Sequence, residues 1–494
     1  MGRGAVRQTR WVEWCDLVAT ASLAAGLLVL LTGGVRFHVL GLRVSATSGG
    51  RFLLLAVTLI VVRHVLHRRP PLTHRIRAWG AALRQRTSPA VGAATAAWLA
   101  TRLPMLLVGY LAVSMIGYPE RVPWRVASHE MWNLPARWDA GWYLGIATNG
   151  YEWDPESRRQ QNIAFFPGYP LLMRTGAVVL GASQPDPTDV ERASRRTAMA
   201  GLAISLGAFW WALVYVYRLG RRWLEPDQAR TTVLLMAAYP FAVFFGALYT
   251  EALFLLATVA TVYHFERREW WRAATWGLVV GFTRPNGCFL SVPLGLIALG
   301  QVWRPGEPLV GRGSLVGCLR HEWRDLAIKL LPRLAVAAMP GIAMLLFSGY
   351  VYWLTGHPFR WVEVHAAWGR SYRGLDELVL GWYRYVSYYG FYEYAFTLPV
   401  DLLNASATVF TVALIWPVTR RFGLPYGLLL VLGVVPPLVA GGFLSMGRIT
   451  SVLFPVFLYL GAVLGPSQRV GWIAGFALVQ GLTAAVFYTW RPLF

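Results

Sequence analysis

The sequence predicts an all-α, polytopic integral membrane protein with about thirteen transmembrane helices. Three observations carry that expectation. Of 494 residues, 56% are hydrophobic and only 14% charged, against about 25% charged in a soluble domain. Apolar runs recur at 17–35, 90–117, 197–216, 334–353, 395–416, 424–443 and 471–488, each near the roughly 20 residues a spanning helix needs. Cations fall in short segments between those runs, as topology-setting loop charges do.

The formal net charge of +22 comes almost wholly from arginine, Lys329 being the one lysine. Usage this skewed points to a GC-rich genome, and therefore to a bacterial plasma membrane. Because the arginines are interspersed with apolar runs, the expected partner is the lipid bilayer and its anionic headgroups, with no nucleic acid. Cys15, Cys288 and Cys318 have neither disulfide nor zinc spacing. The basic start "MGRGAVRQTRW" lacks a small-residue cleavage site and reads as an uncleaved signal anchor.

Arg3, Arg7 and Arg10 place the N-terminus in the cytoplasm,. Two spans, near 17–35 and 52–66, lead to a densely basic cytoplasmic stretch. A third, near 90–117, carries the chain outward into one large extracytoplasmic loop, 118–196. Within that loop "AFFPGYPLLMRTGAVVLGA" is expected to lie at the interface. Pro167 and Pro170 disfavour a span there, and a crossing would put "YRLGRRW" outside. The span near 197–218 then returns inward, and 231–265 and 271–300 form short hairpins. The segment 301–330 is an amphipathic cytoplasmic connector. Later spans near 331–355, 396–416, 423–442, 449–464 and 471–489 leave a second outer loop at 356–395 and "SMGR" (445–448) at the outer surface. Four regions follow: anchor spans with a basic loop (1–89), a catalytic membrane module (90–300), the connector (301–330) and a C-terminal membrane module (331–494).

Within "PARWDAGWYLGIATNGY", Asp139 sits beside Arg137, Trp138, Trp142 and Tyr143. A carboxylate with apolar neighbours at an interface can act as a general base, though "WD" could equally be a helix cap. The aromatics either anchor in headgroups or stack on sugar rings. Glu251, in "YTEALFLL", would cost roughly 2.5–3.5 kcal/mol at a helix centre. It is therefore expected at a polar hairpin tip, hydrogen-bonded to substrate hydroxyls or paired with Arg284. "RWDA" has no second acid for an Asp-x-Asp metal motif, Asp154 and Glu156 lie too far along, and His357 and His365 lack ligand spacing. No metal or other cofactor is expected. "GRGSLVG" lacks the Lys-Ser/Thr of a P-loop, so no inner-face nucleotide site is expected.

"RWDAGWYLGIATNGY" followed by "NIAFFPGYPLLMR" resembles the paired signature of the PIG-V family of mannosyltransferases. "YPFAVFFGALYTEALFLL", "GLVVGFTRPNGCFL" and "GRITSVLFPVF" resemble its later blocks in order, over roughly 90–465. The resemblance implies a GT-C-like fold with interfacial helices in its first extracytoplasmic loop. It also implies a polyprenyl-phosphate mannose donor and Asp139 as the catalytic carboxylate, taking the proton from the acceptor hydroxyl. An inverting displacement would then give an α-mannosyl product on a glycolipid or cell-envelope glycan acceptor. The leaving phosphate needs positive charge, for which Arg448 and Arg284 at outer helix ends are candidates. His357 and Arg360, in an outer-loop lid, are further candidates near that phosphate. Substrate contacts are expected from Arg137, Trp138, Trp142, Tyr143, Asn162 and Glu251. The competing class is a transporter or flippase of lipid-linked intermediates, which would instead carry polar groups midway through its spans.

Overall fold

In a computed structural model the regular structure among the described residues is helical apart from one short hairpin. The structure describes residues 2–32, 35–39, 42–46, 48–67, 72–75, 87–119, 122, 124–180, 190–303, 323–370 and 374–493. Most of the connector (304–322, with Cys318) and much of the basic stretch 68–86 lie outside them.

Two units can be distinguished: residues 1–92 with 175–185, and 93–174 with 186–494. In the first, helices α1 (Gly2–Thr32) and α2 (Gly49–Leu66) flank an antiparallel pair, β1 (Val35–Val39) and β2 (Leu42–Ala46). Asp16 on α1 and Arg63 on α2, both buried, pair at 2.8 Å. Two charges removed from water are tolerated because each neutralises the other.

Next come α3 (Pro89–Met115), α4 (Glu130–Asn133), α5 (Ala140–Asn149), α6 (Gly168–Val179), α7 (Val190–Gly220), α8 (Pro226–Ala238), α9 (Glu251–Glu266), α10 (Trp270–Thr283) and α11 (Ser291–Trp303). Beyond the connector lie α12 (Trp323–Ala337), α13 (Met339–Thr355), α14 (Arg360–Glu363), α15 (Leu375–Tyr389), α16 (Phe391–Thr397), α17 (Pro399–Ala413), α18 (Ile415–Phe422), α19 (Leu424–Gly441), α20 (Met446–Ser451), α21 (Phe454–Val463) and α22 (Pro466–Tyr488).

Among the described residues seven helices are long and apolar enough to cross a bilayer. An eighth forms if α12 and α13, bent by 51° at their junction, count as one span. The sequence expectation was larger because it counted the short helices as crossings. At 1.5 Å per residue, the 13 residues of α8 and 16 of α9 reach only about 20–24 Å. Helix α6, expected at the interface and outside that count, has 12 residues and is too short to cross.

Between α8 and α9 the backbone leaves the α-helix for residues 239–250, with a 3-10 turn over Ala242–Gly246, and non-α-helical chain among apolar helices needs its polar groups satisfied. Buried Arg102 of α3 donates to the carbonyls of Ala242 (2.7 Å) and Ala237 (3.2 Å). Gln480 of α22 donates to those of Ala237 (2.8 Å) and Tyr239 (3.1 Å). These bonds free the chain to turn toward the Asp139 loop. Close helix approach elsewhere rests on glycine: a Cβ at Gly281 of α10 would collide with the Pro340 carbonyl of α13.

Candidate active site

The Asp139 turn is built by a zipper to residues 248–250. Leu248 donates its N–H to the Pro135 carbonyl (2.9 Å). The Tyr249 hydroxyl accepts from the Asp139 N–H (3.1 Å) and donates to the Arg137 carbonyl (3.2 Å). Trp138, caught between those bonds, has φ +50°, a left-handed conformation that a bulky side chain adopts only when held there. Asp139 then starts α5 without using its carboxylate as a cap. The helix-cap alternative therefore fails, and the carboxylate is available for other partners.

That carboxylate meets Arg448, whose Nη1 donates to Oδ2 at 2.7 Å. Arg448 sits on α20, which begins after Ser445 at φ +63°, a second left-handed residue, three positions before the charged one. Its Nε lies 3.2 Å from Oε1 of Glu251. The same oxygen accepts from Arg284 Nη1 at 2.9 Å. Glu251 is 1% exposed, against 13% for either arginine and 20% for Asp139; Asp139 is thus the more accessible of the two carboxylates. Glu251 opens α9, where the N-terminal dipole favours an anion, and its Oε2 is buried without a hydrogen bond. Burial would lower the proton affinity of Arg448, but the carboxylates of Glu251 and Asp139 more than reverse that. Its guanidinium stays charged, over the rings of Tyr249 (5.4 Å) and Phe244 (5.7 Å).

A third cation escaped sequence reasoning. Arg370, in the loop before α15, is largely buried, with its Nη2 donating to the Leu444 carbonyl (3.3 Å). Burial first, then repulsion from Arg448 and Arg284, push its pKa down to about 10, so it is a cation at neutral pH. Among the described residues no carboxylate pairs with it. Nothing in "WGRSYRG" distinguishes it from neighbouring arginines; only the fold does.

Aromatic rings flank the charges. Trp142 and Phe165 stack at 5.7 Å with 16° between planes, and Trp368 of the second loop meets both edge-on, at 5.7 and 5.6 Å. That loop is anchored by Trp361, packed on Phe166 and Phe347 and donating Nε1–H to Ser348 (3.0 Å). Tyr143 is buried against Phe165, Tyr169 and Tyr249. Burial, then the charges of Glu251 and Asp139, raise its pKa and keep it protonated.

Other candidates lie apart from this cluster. Arg137 is fully buried, bound to Glu130, the Asn133 carbonyl (2.7 Å) and the Tyr488 carbonyl (2.9 Å); it holds scaffold and presents no surface to a substrate. Trp138 packs on Trp490 at 5.6 Å. Asn162 clamps its own loop, accepting from Glu152 N–H (3.1 Å) and donating to the Gly150 carbonyl (3.1 Å). His357 and Arg360 both face Glu363, and Arg360 lies over Trp153 (5.7 Å). Among the described residues no three His, Cys, Asp or Glu side chains gather as metal ligands.

Comparison with known proteins agrees with the sequence resemblance. GPI alpha-1,6-mannosyltransferase 2 of Mus musculus is 31% identical over 185 residues, covering 35% of this chain and 35% of that protein. The Homo sapiens protein of the same name is 32% identical over 155 residues, 31% of this chain and 29% of its own length. The alignments thus span about a third of the curated relatives they match. The Archaeoglobus fulgidus oligosaccharyltransferase AglB, solved with an inhibitory peptide and a dolichol-phosphate, aligns over 80% of this chain and 56% of its own. Its identity is 13% and its TM-score 0.36, too loose to carry an argument. Over residues 116–309, the stretch that holds Asp139, Glu251 and Arg284, the chain matches the Mannosyltransferase (PIG-V) family.

Proposed function

We propose that the protein is an inverting α-mannosyltransferase that moves mannose from a polyprenyl-phosphate donor to a glycolipid or cell-envelope glycan on the extracytoplasmic face. The observation that carries this reading is one partly exposed carboxylate, Asp139, held by Arg448, which shares Glu251 with Arg284, while Arg370 is bound to the Leu444 carbonyl four residues before Arg448. Glu251 and Asp139 offset two of those charges. The third leaves the site with an excess positive charge, suited to an anionic substrate.

In the reaction, Asp139 takes the proton from the acceptor hydroxyl as its oxygen attacks the anomeric carbon. The bond from that carbon to the phosphate oxygen breaks, and the leaving group departs as polyprenyl phosphate. Its developing charge is met by guanidinia already in place, which supplies electrostatic stabilisation without reorganisation. Attack from the face opposite the leaving group inverts the centre, so a β-linked donor gives an α-linked product. Glu251 is a positioning residue that holds Arg448 and Arg284 together. Trp142, Phe165 and Trp368 offer ring faces for a sugar. The arginines supply the neutralisation a divalent ion would otherwise provide, and transfer is expected to continue in chelator.

The test uses purified full-length protein, radiolabelled polyprenyl-phosphate mannose and a panel of lipid acceptors. Transfer should fall by about 10²–10⁴ in Asp139→Asn, the range for losing a general base, with protein abundance unchanged. Unimpaired transfer by that variant would remove the assignment.

A further inference from the structure

We infer that the groove between α17 and α22 holds the hydrocarbon tail of the polyprenyl-phosphate donor; the inference rests on the transferase reading. The groove is a cavity of about 630 Å³. Small residues line it, Ser406 and Ala407 on α17 and Gly471 and Gly475 on α22, together with the rings of Phe410 and Trp472, whose centroids lie 5.7 Å apart. Between membrane helices, glycines four residues apart ordinarily let two backbones touch. These two do not, since a Cβ added at Gly471 or Gly475 would meet no atom within 4 Å. They keep a space open along one helix face.

Two buried rings, Tyr239 and Phe241, stand between that space and the helix that carries Arg448. Tyr239 and Phe241 line the groove, and both also touch α20. The Tyr239 hydroxyl shares a hydrogen bond with Thr450 Oγ1 (2.9 Å), and the Phe241 ring lies against Gly447. Thr450 and Gly447 flank Arg448, the residue that grips Asp139. On α22 the lining runs from Gln468 to Val479, about 17 Å at 1.5 Å per residue. A narrow apolar slot therefore begins beside the helix that presents the cation.

The chemistry of the two lipid substrates separates them as occupants. In a polyprenyl phosphate the anion is bonded directly to the hydrocarbon, so the tail must depart from where the phosphate is held. In an acceptor glycolipid a headgroup separates the reacting hydroxyl from the acyl chains. A groove that starts beside the Arg448 helix fits the first arrangement. Burial of isoprenoid carbon against this lining supplies the attraction.

The experiment is photolabelling of the full-length protein with undecaprenyl phosphate bearing a diazirine on its tail, mapped by mass spectrometry. Label is expected in 403–410 and 468–479, displaced by unlabelled undecaprenyl phosphate and not by phosphatidylinositol. Gly475→Leu, and Ser406→Leu from the facing helix, should each cut labelling about tenfold. They should also lower about tenfold the ratio of kcat/KM for a long-tailed over a two-isoprene donor. Label elsewhere, displacement by phosphatidylinositol, or an unchanged ratio in both variants overturns the proposal. Protein that labels in the groove yet transfers no mannose would uphold the tail site and end the transferase reading. Protein that transfers mannose while labelling elsewhere would do the reverse.

Discussion

Nη1 of Arg448 stands 2.7 Å from Oδ2 of Asp139 across 309 positions of sequence. The alternation Asp139–Arg448–Glu251–Arg284 that this contact begins joins α5, α20, α9 and the end of α10. Each element delivers one charge, and each charge is tolerated under burial only because the next opposes it.

Glu251 is the member whose loss leaves most unpaired. In Glu251→Gln, Arg448 and Arg284 face a neutral amide, and breaking a buried pair from one side costs about 3–5 kcal/mol. The melting temperature in detergent should fall, with activity. A cycle with Arg284→Gln should show coupling of about 1 kcal/mol or more; additive effects would mean that the contact does not stabilise the fold.

Arg370 should behave in the opposite sense. Its charge is repelled by Arg448 and Arg284, so Arg370→Gln should leave the ligand-free protein as stable as wild type or more so, while weakening donor binding. We expect donor KM to rise about tenfold, the lower end for a hydrogen bond to a charged group, with kcat changed less and Arg370→Lys restoring part of the loss. A drop in kcat at constant KM would assign Arg370 to the chemical step instead.

His365 links the second loop to pH. Burial depresses its pKa, and its Nδ1 lies 2.6 Å from the Trp361 carbonyl, a bond the neutral ring can donate. Because the folded state binds protons less well than the unfolded chain, this contribution is complete above the unfolded value near 6.5 and declines as pH falls below it. Protection factors across 357–370, taken relative to the intrinsic exchange rate at each pH, should fall between pH 7 and pH 5, and His365→Asn should flatten that dependence. Equal pH sensitivity in the variant would trace the effect to another group.

Gly447→Ala probes the seating of Arg448. The new methyl would collide with the Phe241 ring, so either that ring or α20 must move. Overpacking typically costs about 1–3 kcal/mol. Transfer should fall further than stability alone explains, since α20 carries the cation; kcat measured well below the melting temperature distinguishes the two. A variant with wild-type kcat would show that Phe241 yields and α20 does not.

Composition and apolar run length by themselves determined that the chain is helical and made for a bilayer, because the hydrophobic effect acts on stretches of about 20 residues regardless of what surrounds them. Local reasoning marked Glu251 as a charge that apolar surroundings would not hold without a partner and Asp139 as an interfacial carboxylate, while Arg284 and Arg448 entered as candidates for the leaving phosphate that the family resemblance implied. Which charge meets which was a tertiary decision: pairing across 309 positions depends on how α5, α9, α10 and α20 converge, and no local spacing encodes that. Only the fold separated Arg370, bound to the Leu444 carbonyl, from Arg360, turned to Glu363, since both are arginines in one aromatic loop. It likewise made scaffold of Arg137 and Asn162, because a long or branched polar side chain binds whatever backbone lies within reach. And it left Gly471 and Gly475 facing open space, where sequence alone would have packed them against a neighbouring helix.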